Sequence, residues 1–191
     1  LPALDKAGKE SGIRVKTYLM QGCSFRSSAS GTCAEFNNWA HSSLASSKDE
    51  IDKIFISNRI SNQVQDNLPK ATDAFKSDLL RLKEHTGDIF LIEDAPLGSL
   101  DNSDPNLCLI ERAPENCVNN RSKVTFENPD EKAVLELGIG EFIETEQLFC
   151  LEEECYVSIG GLPVYRDDDH ITNYYSETTY TFWTEIIRGG D

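Results

Sequence analysis

Two short, unbroken apolar runs stand out against the helical periodicities of this chain. Residues 52–58 contain Ile54-Phe55-Ile56, and residues 88–93 contain Ile89-Phe90-Leu91-Ile92, each bounded by polar residues. An apolar run of that length without alternation predicts a strand buried on both faces, as the strands of a parallel sheet are. Between them, residues 63–85 carry the strongest helical pattern. Ala74, Leu79, Leu80 and Leu82 form its expected buried face, and Gly87 its stop. Strand, crossover-length helix and strand imply parallel pairing with helices on the sheet faces.

The rest of the pattern extends this reading. Residues 2–10 predict a helix with Leu4 and Ala7 on one face, ended by Gly12. Residues 13–20 alternate through Ile13, Val15, Tyr18 and Leu19, which predicts a strand. A Ser/Gly-rich loop follows at 21–32, then a helix at 34–44. Residues 95–127 are irregular and rich in Pro, Asn, Asp and Ser. Asn128-Pro129-Asp130-Glu131 is a capping box with proline at the first helical position, opening a helix that runs to Leu137. A strand at 142–149, a tight loop at 150–155 and a short strand at 156–159 come next. Thr172 caps a last helix over 173–188. No repeat, low-complexity tract or internal linker interrupts the chain. The expected fold class is α/β, three layers (α/β/α) with a mainly parallel sheet in one domain.

Composition narrows the setting. The 191 residues, 39% hydrophobic and 27% charged, are those of a globular domain large enough to bury a core. No apolar run approaches the roughly eighteen residues of a membrane span. The opening Leu1-Pro2-Ala3-Leu4-Asp5-Lys6 lacks a basic region followed by an apolar stretch, so it reads as the middle of a longer protein and not as a signal peptide. A net charge of −15 repels phosphate backbones and anionic lipid surfaces, which argues against nucleic-acid binding and is read as solubility.

The six cysteines fall in close pairs: Cys23 with Cys33, Cys108 with Cys117, and Cys150 with Cys155. An even count at local spacing predicts disulfide-closed loops and an oxidising compartment, with nearest-neighbour pairing taken from loop length. There is no C-x-x-C, and no histidine lies near a cysteine in sequence, so neither zinc nor another metal is expected.

The densest chemical signal is Tyr165-Arg166-Asp167-Asp168-Asp169-His170, just before the last helix. His170 follows Asp167 by three residues. A turn of that length folds a carboxylate back onto an imidazole. The carboxylate then accepts the Nδ1 proton and leaves Nε2 as a general base for a serine hydroxyl. Asp168 and Asp169 keep the choice of carboxylate open by a residue or two. A solvated acidic turn with a histidine after it is the competing reading, because short motifs recur by chance. His41, on a helix, and His85, in the last turn of the long helix, read as unremarkable. Tyr174, Tyr175, Tyr180, Phe182 and Trp183 read as a core-facing helical stripe in preference to a sugar platform.

Taken in order, the cysteine loop 150–155, the Gly160-Gly161-Leu162-Pro163-Val164-Tyr165 turn, Asp167-x-x-His170 and the final helix resemble the C-terminal end of the SGNH domains fused to acyltransferase-3 membrane proteins. Gly22-Cys23 resembles that family's loop after the second strand. Ile54-Phe55-Ile56-Ser57-Asn58-Arg59 resembles its strand ending in a small residue and arginine, and the Cys108–Cys117 pair falls where the family often has one. The resemblance implies an SGNH-hydrolase, flavodoxin-like sheet and a Ser-His-Asp mechanism with Asp167 as acid and His170 as base. It makes Gly22 and Asn58 or Arg59 candidates for oxyanion stabilisation. Gly22 also fits a plain turn, and Arg59 a plain ion pair.

Two departures matter. The family's nucleophile sits in a G-D-S-H motif at the end of the first strand, and no G-D-S occurs in this chain, which opens at the helix that follows that strand. Where the last motif usually has glycine, this chain has Tyr175. The implied protein is a larger membrane O-acyltransferase of which this is a C-terminal fragment lacking the first strand. It would act on the periplasmic or extracellular face of the inner membrane, without a cofactor. It would pass an acyl group, commonly acetyl, from its membrane portion to a polysaccharide hydroxyl. Ester hydrolysis would use the same residues. A non-catalytic glycan-binding or structural module with a degenerate site is the competing class.

Overall fold

A computed structural model describes residues 1–47, 50–60, 67–100 and 104–189. In chain order the elements are α1 (Pro2–Ser11), α2 (Gly31–Ser46), β1 (Lys53–Ser57), α3 (Leu68–Leu82), β2 (Asp88–Ile92), α4 (Asn106–Glu111), β3 (Val118–Asn120), α5 (Arg121–Val124), α6 (Pro129–Leu137), β4 (Glu141–Ile143), β5 (Cys150–Leu151), β6 (Glu154–Tyr156), β7 (Ser158–Ile159), β8 (Leu162–Pro163), α7 (Asn173–Thr178) and α8 (Tyr180–Arg188). They group into two units. One comprises Tyr18–Asp94 and Phe126–Thr145; the other comprises Leu1–Thr17, Ala95–Thr125 and Glu146–Asp191.

The first of these units holds the parallel sheet that the apolar runs imply. Its order is β1-β2-β4, with Ile54 opposite Ile89 and Ile56 opposite Leu91. Those four residues are buried together with Phe75, Leu79 and Leu82 of α3, Ala133 and Val134 of α6, and Leu44 of α2. On the opposite face Phe55 stacks on Phe90 at 4.9 Å, both half-buried. Asparagine opens two of the helices: the Asn67 side chain accepts from the Lys70 N–H, and the Asn128 side chain from the Asp130 N–H. α6 stops at Gly138, whose φ of 62° is the left-handed conformation glycine tolerates. Among the described residues β1 pairs on one side only.

The second unit packs α1 against α8 and α7. It also holds a small antiparallel sheet, β3-β6-β5, and the β7-β8 hairpin. Its core is Phe149, Val164, Tyr165 and Tyr175. The three disulfides join Cys23 to Cys33, Cys108 to Cys117 and Cys150 to Cys155. The last of these links the facing residues of β5 and β6.

Several expected elements differ. Residues 13–20 form no strand: Ile13, Val15, Leu19 and Met20 are exposed, and no ladder partner is present among the described residues. Alternation marks a strand only where a neighbour completes the ladder and covers the apolar side. The stretch follows α1 instead, with the Ile13 N–H donating to the Gly8 carbonyl. The strand expected over 142–149 is only Glu141–Ile143, followed by a single 3₁₀ turn at Glu146–Leu148. The last helix breaks at Thr179 into α7 and α8. The long helix spans Leu68–Leu82, and residues 63–66 lie outside the described ones. Its buried stripe runs through Phe75, Leu79 and Leu82, which turns Leu80 to solvent. The irregular segment contains α4, β3 and α5.

Candidate active site

The site is built on the nine-residue loop 164–172 between β8 and α7. Val164 and Tyr165 enter it fully buried, and Tyr165 forms an antiparallel bridge with Ile171. The Arg166 N–H donates to the His170 carbonyl at 2.7 Å, and the Thr172 N–H to the Val164 carbonyl at 2.8 Å. The loop therefore closes on itself before α7 begins. Thr172 then caps that helix, its hydroxyl accepting from the Tyr175 N–H at 3.1 Å and donating to the Pro163 carbonyl at 2.7 Å.

Inside the loop Asp167 shapes the turn. Its Oδ1 accepts the backbone N–H of Asp169 at 3.3 Å and of His170 at 2.8 Å, the Asx arrangement that holds such turns. The same oxygen lies 2.8 Å from His170 Nδ1. Its Oδ2 accepts from Arg166 Nε at 3.2 Å and Nη2 at 3.1 Å. Burial alone would raise the Asp167 pKa. The donors from His170, Asp169 and Arg166 outweigh it and hold the carboxyl well below the usual carboxylate range. An ionised Asp167 facing Nδ1 fixes the tautomer that leaves Nε2 free to accept a proton. The His170 side chain is 60% exposed, so the ring stands open to solvent.

Sequence reasoning missed the buttress behind the loop. The Gly98 N–H donates to the Asp168 carbonyl at 2.8 Å. A Cβ on Gly98 would meet the Tyr165 ring at 2.7 Å, so only glycine lets the two backbones approach. Asn106 donates to the Tyr165 carbonyl at 3.1 Å, and Asn119 to the Gly98 carbonyl at 2.8 Å. Their signal was a cluster of Asn and Gly within an irregular stretch, which fits any loop.

Tyr175 does not line the site. It is buried against Phe149, with ring centroids 5.8 Å apart, and donates its hydroxyl to the Leu148 carbonyl. Burial pushes its phenol up to about 12. Asp167, Asp169 and His170 also bring ligand-type atoms within 4.8 Å of one another. Nδ1 stands 2.8 and 2.7 Å from the two carboxylate oxygens, which is hydrogen-bond spacing. Two ligand atoms sharing a tetrahedral zinc would stand about 3.3 Å apart.

The structure brings Asp167 and His170 together and puts the oxyanion candidates in the other unit. Gly22 occupies a turn at φ 73°. Arg59, beyond the end of β1, is exposed. The Asn58 side chain is engaged within the protein: its Nδ2 donates to Asp130 Oδ2 at 2.8 Å and to the Phe25 carbonyl at 3.3 Å, and its Oδ1 accepts from the Phe25 N–H at 2.7 Å. Both amide hydrogens are thus taken up by protein acceptors.

Asn58 belongs to a buried polar network. Arg26 Nη2 donates to Asp130 Oδ1 at 2.8 Å. Asp78 accepts from the Ser27 N–H and lies 3.3 Å from His41 Nε2. Burial pushes Asp130 upward despite Arg26 and Asn58. His41, unremarkable in the sequence, is 3% exposed and part of this network.

The parallel sheet and its helices form an SGNH-like α/β fold. The chain belongs to the family of SGNH domains fused to AT3 domains, whose family model matches residues 1–179. Its fold is similar to that of the periplasmic domain of a lipopolysaccharide acetyltransferase from Salmonella ser. Paratyphi A, with a TM-score of 0.63 and 15% identity over 98% of this chain and 77% of that one. No curated protein matches the chain in sequence.

Proposed function

We propose that this domain passes an acyl group, acetyl being the simplest, to a hydroxyl of a surface polysaccharide on the extracytoplasmic side of the membrane. The observation that carries this reading is the exposed His170 ring held through Nδ1 by a carboxylate. Membership of a family fused to AT3 domains supports a membrane acyltransferase as the acyl source, and three disulfides support an oxidising compartment. A serine supplied by sequence upstream of residue 1 completes the triad.

In the first step the serine hydroxyl attacks the donor's acyl carbon while His170 Nε2 takes its proton and returns it to the leaving group. In the second, a sugar hydroxyl attacks the acyl-serine. Nε2 takes that proton and gives it back to the serine oxygen as the ester leaves. Arg166 and the turn hydrogen bonds hold Asp167 in place through both steps.

A version of the protein extended by about thirty residues upstream, enough for one strand and its turn, tests this. It is expected to release p-nitrophenol from p-nitrophenyl acetate and to transfer the acetyl group to a polysaccharide acceptor. A folded, extended protein that carries no serine at the strand's end and is inert would favour a glycan-binding module.

A further inference from the structure

The five aromatic residues of the last two helices do not form the single core-facing stripe that their spacing predicts. Tyr175 and Trp183 are buried. The Lys6 ammonium lies over the Tyr180 ring, 4.0 Å from its centroid, and Phe182 meets Trp183 edge-on at 5.0 Å. Tyr174 stands apart. It is 77% exposed and makes no hydrogen bond, ion pair or ring contact among the described residues.

Tyr174 sits in the first turn of α7, four residues after His170. Four residues of chain span at most about 14 Å, the length of a few sugar rings. The Cα–Cβ bonds of a helix tilt toward its N-terminus, so a first-turn side chain leans over the segment before the helix, which here is the His170 loop. The turn is pinned: Thr172 caps it, and the buried Tyr175 donates to the Leu148 carbonyl. The exposed ring is therefore mounted on a rigid base, with little backbone ordering left to lose on binding. Beside it Asn173 is exposed and likewise without a hydrogen bond among the described residues, which leaves its amide for a hydroxyl. A flat apolar face next to an unengaged amide suits a pyranose, which presents a C–H face and a rim of hydroxyls.

We propose that Tyr174 is the platform on which a pyranose ring of the acceptor glycan stacks, setting which hydroxyl reaches His170. This role rests on the reading of His170 as the base for a sugar hydroxyl.

The probe is the surface polysaccharide of the producing cell, freed of its esters by mild alkali and cut to short fragments. Carbon-13 NMR of the tyrosine rings follows its binding to the 191-residue chain, and Tyr174→Phe identifies the Tyr174 signals by removing them. Those signals are expected to move as fragments are added. Backbone amide shifts of residues 166–173 give the dissociation constants. Tyr174→Ala is expected to bind about tenfold more weakly, the upper end of what an aromatic contact contributes. Tyr174→Phe keeps the face and loses only the hydroxyl, and is expected to stay within about twofold of the wild type. Truncating so exposed a side chain is tolerated by the fold. Tyr174 signals that stay in place as fragments are added, or a Tyr174→Ala chain that binds as tightly as the wild type, would overturn the proposal. Binding is read without turnover, so failure of the acyl-transfer reading would show separately, as an extended protein that binds the fragments and transfers nothing.

Discussion

The chain contains the same chemical pair twice, in opposite surroundings. His41 and Asp78 are 3.3 Å apart with side chains 3% and 2% exposed, and they share a network with Ser27, Arg26, Asp130 and Asn58. His170 meets Asp167 and Asp169 at 2.8 and 2.7 Å, but its ring projects into solvent. A histidine buried with its acid holds structure together, because no substrate reaches it and losing a partner leaves a buried polar group unsatisfied. One that is held from behind and exposed in front can exchange protons with a substrate. Exposure of the ring, not possession of a carboxylate, separates the two surroundings.

The comparison can be broken by substitution. The largest expected effect is on turnover: His170→Ala in the extended protein should lower kcat/KM by about 10²–10⁴-fold, the usual contribution of a general base. Its stability should change by no more than about 0.5 kcal/mol, as for an exposed side chain. In the other region Arg26→Met strands the buried Asp130 carboxylate and should cost about 3–5 kcal/mol, measured as a lower urea midpoint. Removing the Cys23–Cys33 bond by paired serine substitution should cost about 2–4 kcal/mol by the same measurement.

Thr172→Ala removes the cap of α7 and should cost about 1 kcal/mol, with the site loop the first backbone to gain hydrogen exchange. The smallest effect concerns pH. Folding holds Asp167 below the ordinary carboxylate range, so the unfolded chain takes up that proton first. Its stabilisation is complete above about pH 4 and is lost as the pH falls from there towards the folded value. Wild type should therefore lose slightly more stability than Asp167→Asn between pH 5 and pH 3, numbers set by the roughly 3.9 of a free aspartate.

What the sequence revealed divides along a physical line. Ile54-Phe55-Ile56 and Ile89-Phe90-Leu91-Ile92 read correctly as strands of a parallel sheet because a continuous apolar run has few other uses. Asn128 and Thr172 were legible as caps because capping chemistry is local. Residues 13–20 misled because alternation says nothing about whether a neighbouring strand exists. Leu80 misled because Leu79 and Leu80 lie about 100° apart on a helix and only one can join the stripe through Phe75 and Leu82. Asp167 and His170 stood out as a spacing. The contributions of Gly98 and Asn106 depend on contacts between segments, which composition does not record. Asn58 looked like a site residue for its place at the end of a strand. Its side-chain partners Phe25 and Asp130 are distant in sequence, so the network it joins was not legible there.

The most direct test of the central claim sets the two histidines against each other in the upstream-extended protein. Hydrolysis of p-nitrophenyl acetate by His170→Ala and His41→Ala would be measured per folded molecule, with urea midpoints alongside. His170→Ala is expected to keep its midpoint and lose its activity. His41→Ala is expected to lose about 2–3 kcal/mol of stability while its folded fraction turns over normally. Wild-type turnover in a folded His170→Ala protein would contradict the central claim.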